Sequence, residues 1–180
     1  MDDSTDETPD HVIAALEPLR QKGIEVRHIR RSHRDGFKAG ALANGMSTAK
    51  GEFIAIFDAD FIPQKEFLKL TVSVFADHRI GAVQCRWDHL NRDQSLLTRM
   101  QAIALDFHFL SEQQGRFNTG CFTVFNGSAG VWRKSCIADS GGWQGDTVTE
   151  DLDLSLRAQM KGWRIIYKSD RKSTRLNSSH

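Results

Sequence analysis

An α/β fold with a mostly parallel sheet is what this sequence of 180 residues predicts. Strand-like and helix-like segments alternate along its first half. The apolar run Phe53 to Phe57 reads as a buried strand, ends abruptly in Asp58-Ala59-Asp60, and is closed by Pro63. The length fits one domain with a sizeable core, and 39% hydrophobic with 26% charged residues is ordinary for a globular chain.

Each element has its own signal. Thr8-Pro9 starts a first helix, because proline suits the first helical position, and Val12, Ile13, Leu16 and Leu19 share its apolar face. Gly23 ends it, Ile24 to Ile29 alternates like a half-buried strand, and RSHRDGF follows as a loop. A helix of small residues, about Ala39 to Ala49, closes at Gly51 and feeds the strand at Phe53. A helix from about Lys65 to Phe75 precedes a short strand near Ala82 to Cys85. Residues 94–114 form one long apolar helix with Leu97, Met100, Ala104, Phe107 and Leu110 on one face. CFTVFNGSAGVWR reads as strand, turn and strand. A helix opens within Asp146 to Asp151, where Thr147 or Thr149 caps it with acids in the first turn, and runs to Lys161. Gly162 stops it, and Trp163 to Tyr167 makes a short last strand.

Composition excludes several classes. A net charge of +1 gives no electrostatic basis for nucleic acid or an anionic membrane. Three scattered cysteines, without a CxxC pair, favour a reducing compartment and speak against structural zinc. No apolar run approaches the roughly 20 residues of a membrane span, and no signal peptide opens the chain. The acidic opening DDSTDET and the polar RKSTRLNSSH point to a fragment truncated at both ends, soluble by itself, with residues 168–180 a non-native tail.

The carboxylate pair is the strongest chemical signal. Side chains alternate along an extended chain, so Asp58 and Asp60 point the same way, and their repulsion calls for a cation. A divalent metal held by one or two carboxylates and substrate phosphates answers that need. Lys38, just before a helix in RDGFKAGAL, suits a diphosphate without the spacing of a P-loop, and is equally a solvent-facing lysine. Phe125-Asn126-Gly127-Ser128 lets backbone approach a ligand, or is a plain tight turn. Asp151, in Thr149-Glu150-Asp151, is a candidate general base or part of a helix cap. Asp2 and Asp3 read locally as acids near a helix start. The four tryptophans read mainly as core, with acceptor-sugar packing as the other role. His89 and His108 lack metal spacing.

Taken together, DDSTD (2–6), FKAGAL (37–42), FDAD (57–60), Gln84-Cys85-Arg86-Trp87, FNGSAG (125–130) and TEDLDLSLRAQMKGW (149–163) resemble the processive family 2 glycosyltransferases, the cellulose-synthase-like inverting enzymes. Residues 86–116 are most similar to the glucomannan- and mannan-synthase-like branch. The resemblance implies a GT-A type, three-layer nucleotide-sugar-binding fold over residues 1–167. It implies transfer of glucose or mannose from UDP-glucose or GDP-mannose to a growing β-linked polysaccharide, with Mg²⁺ or Mn²⁺. By the same resemblance Asp2, Asp3, Lys38 and Asp58 contact the nucleotide, and Asp58 and Asp60 hold the metal, with Asp60 the direct ligand. Asp151 is then the catalytic base, and Phe125, Asn126, Gly127, Ser128, Glu150 and Trp163 lie on the acceptor side. The family's first strand and its downstream QxxRW motif have no match in this sequence. Relatives carry membrane helices around this domain, which implies a membrane parent with the domain on the cytoplasmic face.

Two other readings use the same residues. A haloacid-dehalogenase-like phosphotransferase would employ a DxD pair, but places it on a first strand followed by Thr or Val two residues on, where this chain has Phe61-Ile62. A nucleotide-sugar-binding module without catalysis is the other, and the presence of Asp58, Asp60 and Asp151 gives no reason to require it.

Overall fold

The computed structural model describes residues 1–175, those from 170 onward by backbone alone. It divides into two compact units, Met1–Ala49 with Trp143–Val148, and Lys50–Gly142 with the chain from Thr149 onward.

In the first unit, helix α1 (Thr8–Gln21) carries Pro9 in its opening turn and is followed by Gly23 at φ +76°, which releases the chain from the helix. The predicted strand at Ile24 to Ile29 does not form. This stretch is extended, and Asp2 N–H donates to Ile29 O at 3.0 Å without a ladder. Helix α2 (Phe37–Met46) begins two residues earlier than its small-residue pattern suggests. Gly36 at φ +66° and Phe37 at φ +45° turn the chain into it.

The second unit holds a sheet of five strands in the order β1 (Phe53–Ile56), β4 (Gly130–Arg133), β3 (Ile80–His89), β5 (Arg164–Arg175), β2 (Phe61–Ile62). Among the described residues only β3 and β5 pair in parallel; the other three pairings are antiparallel. The sheet is therefore mixed, a correction to the mostly parallel expectation. Strands β1, β3 and β5 share one direction, as βα alternation requires. The reversal comes from β4, which runs back between β1 and β3, and from β2 at the far edge. Neither strand follows a crossover helix, so alternation carries no signal for them.

The buried-strand reading of Phe53 to Phe57 also changes. Strand β1 is an edge strand among the described residues, with Phe53 and Ile54 half-buried, Ala55 exposed and Ile56 buried. The central strands take the burial instead: Ala82, Val83 and Cys85 of β3 and Val131 and Trp132 of β4 are inaccessible to solvent. Phe67 of α3 (Phe67–Val72) and Phe75 of the 3₁₀ turn after it join Ile80, Val83, Cys85 and Val131 in the core.

Arg133 staples the β1 edge. Its guanidinium donates to Ile80 O at 3.1 Å and Phe75 O at 2.6 Å, reaches Glu52 at 2.8 Å, and lies over the rings of Phe53 and Phe75. Every face of this buried cation meets an acceptor or a ring, which is what its burial requires.

The long helix of the second half is three segments. Helix α4 (Leu96–Asp106) is capped by Ser95 and Thr98 in a reciprocal box, Phe107–Gln113 winds as a π-helix, and α5 (Gln114–Asn118) finishes it. The strand expected at Cys121 to Phe125 is extended chain without ladder partners, and a short helix α6 (Lys134–Asp139) follows β4. Helix α7 (Glu150–Met160) starts after Thr149, whose side chain makes no capping hydrogen bond, so neither predicted threonine cap is built. Glu150, Asp151 and Asp153 in its first turn supply the compensating charge at the positive end of the helix dipole. Strand β5 extends past Tyr167 to Arg175, while the end of the expected 168–180 tail, residues 176–180, lies outside the described residues.

Candidate active site

Asp58 and Asp60 do not sit on a strand. Strand β1 stops at Ile56, and Phe61 N–H donates to Asp58 O at 3.1 Å, closing Asp58-Ala59-Asp60-Phe61 into a turn. The alternation that would align the two carboxylates is therefore replaced by turn geometry. Asp58 is half-buried and Asp60 exposed.

The FNGS segment fastens this turn. Asp58 N–H donates to Ser128 Oγ at 2.8 Å. Ser128 is fully buried, and its carbonyl accepts from Gln84 Nε2 and Trp87 Nε1, each at 3.1 Å. Gln84 uses the other end of its amide to accept Asn126 N–H at 2.7 Å, so one buried side chain braces both ends of the loop. Gly127 at φ +72° and Ala129 at φ +55° give the loop its fold. A left-handed alanine costs about 1 kcal/mol, and such residues persist where surroundings enforce them, often at functional sites.

The same segment holds α7. Phe125 N–H donates to Ser155 Oγ at 2.9 Å, and the Ser155 hydroxyl donates to Asp151 O at 2.6 Å. Four positions separate Asp151 from Ser155, so both lie on one helix face. Thr123 and Gln159 exchange two further bonds, N–H to Oε1 and Nε2 to O, each at 2.9 Å. Asp151 is half-buried, and its Oδ1 accepts Leu152 N–H at 2.8 Å.

Of the residues expected on the acceptor side, Phe125, Gly127 and Ser128 are buried. Phe125 packs on Trp132 with ring centroids 5.3 Å apart. Asn126 and Glu150 are half-buried. Trp163 donates its indole N–H to Asp139 Oδ2 at 2.9 Å and lines a cavity of about 230 Å³ with Phe117, Phe122 and Gln159. The sequence offers no sign of the bracing role of Gln84 and little of that of Ser155. A serine four residues after Asp151 on a helix was the available hint.

In the first unit, Asp2 meets His28 Nε2 at 2.9 Å and accepts Ser4 N–H at 2.9 Å. Hydrogen bonds from Ser4, then from His28, hold its carboxyl far below the usual carboxylate range. Asp3 accepts Arg31 Nε at 2.9 Å and Arg31 N–H at 3.1 Å, and this guanidinium likewise lowers its pKa. Arg31 also donates to the carbonyls of Asp35 and Phe37, tying the acidic start of the chain to the turn before α2. Lys38 stands half-buried in the first turn of α2, beyond a Gly36 N-cap that has no side-chain acceptor. Backbone N–H groups at such a helix start are suited to an anion.

The donor chemistry around the turn fits a divalent cation of a particular kind. Among the described residues no cluster of three or more His, Cys, Asp or Glu side chains forms a protein-only cage. Asp58 and Asp60 supply oxygen ligands on a turn with one of them exposed, which matches an ion completed by substrate phosphates. They are the residues that would hold it.

Comparison with known proteins identifies the family and the fold. The family described as "Glycosyltransferase like family 2" matches residues 3–179. Probable glucomannan 4-beta-mannosyltransferase 4 of Oryza sativa subsp. japonica is 43% identical over 94% of this chain and 32% of its own length. Glucomannan 4-beta-mannosyltransferase 9 of Arabidopsis thaliana is 42% identical over 93% of this chain and 32% of its own length. The chain thus spans about a third of the curated relatives it matches. Among solved structures, mannosyltransferase PcManGT from Pyrobaculum calidifontis, in complex with GDP-Man and Mn²⁺, aligns at TM-score 0.72 and 24% identity, covering 98% of this chain and 46% of that one. S. aureus TarS 1-349 in complex with UDP-GlcNAc aligns at TM-score 0.64 and 17% identity, covering 98% of this chain and 48% of that one. These likenesses identify the fold as GT-A type. No helix among the described residues is long and apolar enough to cross a membrane. The phosphotransferase alternative falls away, because the chain belongs to family 2 of the glycosyltransferases.

Proposed function

We propose that the full-length protein is an inverting hexosyltransferase that moves mannose from GDP-mannose onto a growing β-linked polysaccharide, with glucose from UDP-glucose the second donor. One observation carries the reading: a single loop is bonded to both acidic segments. Ser128 Oγ accepts the Asp58 N–H, while Phe125 N–H binds Ser155, which binds Asp151 O. The names of the relatives support mannose, and the GDP-Man and Mn²⁺ of the Pyrobaculum calidifontis neighbour support the donor and the metal.

In this reading Asp151 takes the proton of the acceptor hydroxyl as that oxygen attacks the anomeric carbon from the side opposite the leaving diphosphate. A sugar hydroxyl is a weak nucleophile at neutral pH, so a positioned carboxylate contributes roughly 10²–10⁴-fold. Lys38 and the N–H groups at the start of α2 bind the diphosphate, and Asp2 and Asp3 contact the nucleoside. Arg31 holds Asp3 rigid for that contact. Asp58 and Asp60 hold Mn²⁺ or Mg²⁺, which when bound offsets the charge gathering on the diphosphate. Phe125, Gly127 and Ser128 serve the acceptor side by shaping the loop, which leaves Asn126, Glu150 and Trp163 as the side chains that reach a sugar. The longer relatives and the family resemblance support a membrane-embedded parent with this domain on the cytoplasmic face.

Sugar transfer by the full-length protein from GDP-mannose and UDP-glucose, with Mn²⁺ or with a chelator, tests the reading. Asp151→Asn is expected to lose at least about 100-fold in transfer while keeping GDP-mannose binding. Asp60→Asn is expected to weaken Mn²⁺-dependent binding of GDP-mannose. Transfer that survives Asp151→Asn removes the base, and transfer indifferent to the chelator removes the metal.

A further inference from the structure

We propose that His108, steadied by Glu112, is a positioning residue that fixes the side-chain amide of Asn126 toward the sugar acceptor. This rests on the acceptor-side reading of Asn126 given above.

The observation is a chain of hydrogen bonds running off the π-helical segment. Gln113 Nε2 donates to Val124 O at 3.1 Å and to Asn126 Oδ1 at 2.6 Å. Asn126 Nδ2 lies 3.1 Å from His108 Nε2, and His108 Nδ1 lies 2.9 Å from Glu112 Oε2. Arg116 Nη2 backs Glu112 at 3.3 Å.

Donor and acceptor roles in this chain follow from its fixed end. A backbone carbonyl only accepts, so the end of Gln113 that faces Val124 is its NH₂. The Asn126 atom facing that NH₂ is then the carbonyl oxygen, which turns its own NH₂ toward His108. His108 Nε2 must accept, so its proton sits on Nδ1 and is donated to Glu112. The bond from His108 also keeps Glu112 ionised below the usual glutamate range. Tautomer and amide orientation therefore agree from Gln113 Nε2 to Glu112, while Gln113 Oε1 is buried without a partner among the described residues.

The arrangement is more than packing. Gln113 is 1% exposed, but the His108 and Glu112 side chains are 35% and 45% exposed. A half-exposed pair that served only the surface would turn to water, whereas this one is spent on a loop amide. The π winding of Phe107–Gln113 sets His108 and Gln113 together on that amide, and π segments recur at functional sites. Asn126 uses one Nδ2 hydrogen and one Oδ1 lone pair internally. One of each remains, a donor beside an acceptor, which suits hydroxyls of a sugar ring.

The test uses the full-length protein with GDP-mannose as donor and a β-linked mannooligosaccharide as acceptor. His108→Phe keeps a ring but removes the acceptor nitrogen. It is expected to raise the acceptor KM about tenfold, with donor KM and kcat at saturating acceptor within about twofold. His108→Gln places an amide oxygen near the lost nitrogen and is expected to restore most of the acceptor affinity. An unchanged acceptor KM in His108→Phe overturns the proposal. So does a parallel loss of kcat and donor affinity, or the absence of rescue by glutamine. A wild-type protein that transfers no mannose overturns the proposed function and this inference together. A wild type that transfers while both variants match it overturns the inference alone.

Discussion

The backbone N–H of Asp58 is bonded to the hydroxyl of Ser128 at 2.8 Å across 70 positions of sequence. Two motifs that look independent in the chain are thus one structure. The turn bearing the carboxylate pair cannot shift without moving a fully buried serine whose carbonyl is already held by Gln84 and Trp87.

Ser128→Ala removes the acceptor of that N–H while filling nearly the same space. A lost hydrogen bond of this type is worth about 1 kcal/mol, and a displacement near 1 Å can cost about 100-fold in rate. The expected outcome is a small fall in Tm with at least a tenfold fall in sugar transfer. Equal transfer in variant and wild type would show that Asp58 needs no such anchor.

Ser155→Ala acts at the other end of the loop. It leaves the buried Phe125 N–H without its acceptor and takes the hydroxyl donor away from the Asp151 carbonyl. An unsatisfied buried donor costs about 2 kcal/mol, which for a domain of this size lowers Tm by roughly 6 °C. Thermal unfolding checks the size, and a Tm within about 1 °C of wild type would refute it.

Asp106 links α4 to β3 through Arg86 and Arg92. Burial pushes its pKa up, but hydrogen bonds from Arg92 and Arg86 outweigh this and hold it below the usual value. A depressed carboxylate pKa contributes stability that is complete above the unfolded value near 4 and is lost as pH falls through the folded value. Asp106→Asn is expected to cost about 3 kcal/mol at neutral pH, because Arg86 is left buried and unpaired. Its stability should also fall less steeply than wild type below about pH 4. Parallel acid limbs in the two denaturation profiles would disprove the assignment.

Gly130 opens β4 where nothing larger fits. A Cβ there would lie 2.3 Å from Phe125 Cε2 and 2.5 Å from the backbone oxygen of Val83. The ring can yield only by leaving Trp132, and the carbonyl belongs to the central strand. Gly130→Ala is expected to destabilise by about 2 kcal/mol and to reduce transfer by displacing Phe125. Chemical denaturation measures the first effect, and a midpoint equal to wild type would contradict it.

Much of this was legible in the residues. Helix α1 from Thr8, the turn at Gly23, α2 up to its boundaries, the β1 run ending before Asp58 and the acidic start of α7 all follow from local periodicity, proline and glycine placement and helix-end charge. The family resemblance rested on motifs that are each moderately specific and strongly specific in their combined order and spacing. What failed did so for non-local reasons. Ile24 to Ile29 has the period of a strand but pairs in no ladder, because a strand exists only where a partner edge is available. Strand β4 reads as half of a hairpin but inserts between β1 and β3. Asp58 and Asp60 were expected on an extended segment, and a single hydrogen bond from Phe61 curls them into a turn.

The order of residues is enough to set the chemistry on hand: which carboxylates exist, which glycines permit left-handed turns, and which family the motifs belong to. Side-chain type and local backbone preference are properties of short segments, so they can be read from short segments. The bonding of FNGS to both the Asp58 turn and the Asp151 helix, and its bracing by Gln84, Ser155 and His108, arise from packing between distant segments. Those bonds join residues tens of positions apart. Their partners are set by how strands and helices stack, because a buried N–H takes whichever acceptor the packed core brings within 3 Å.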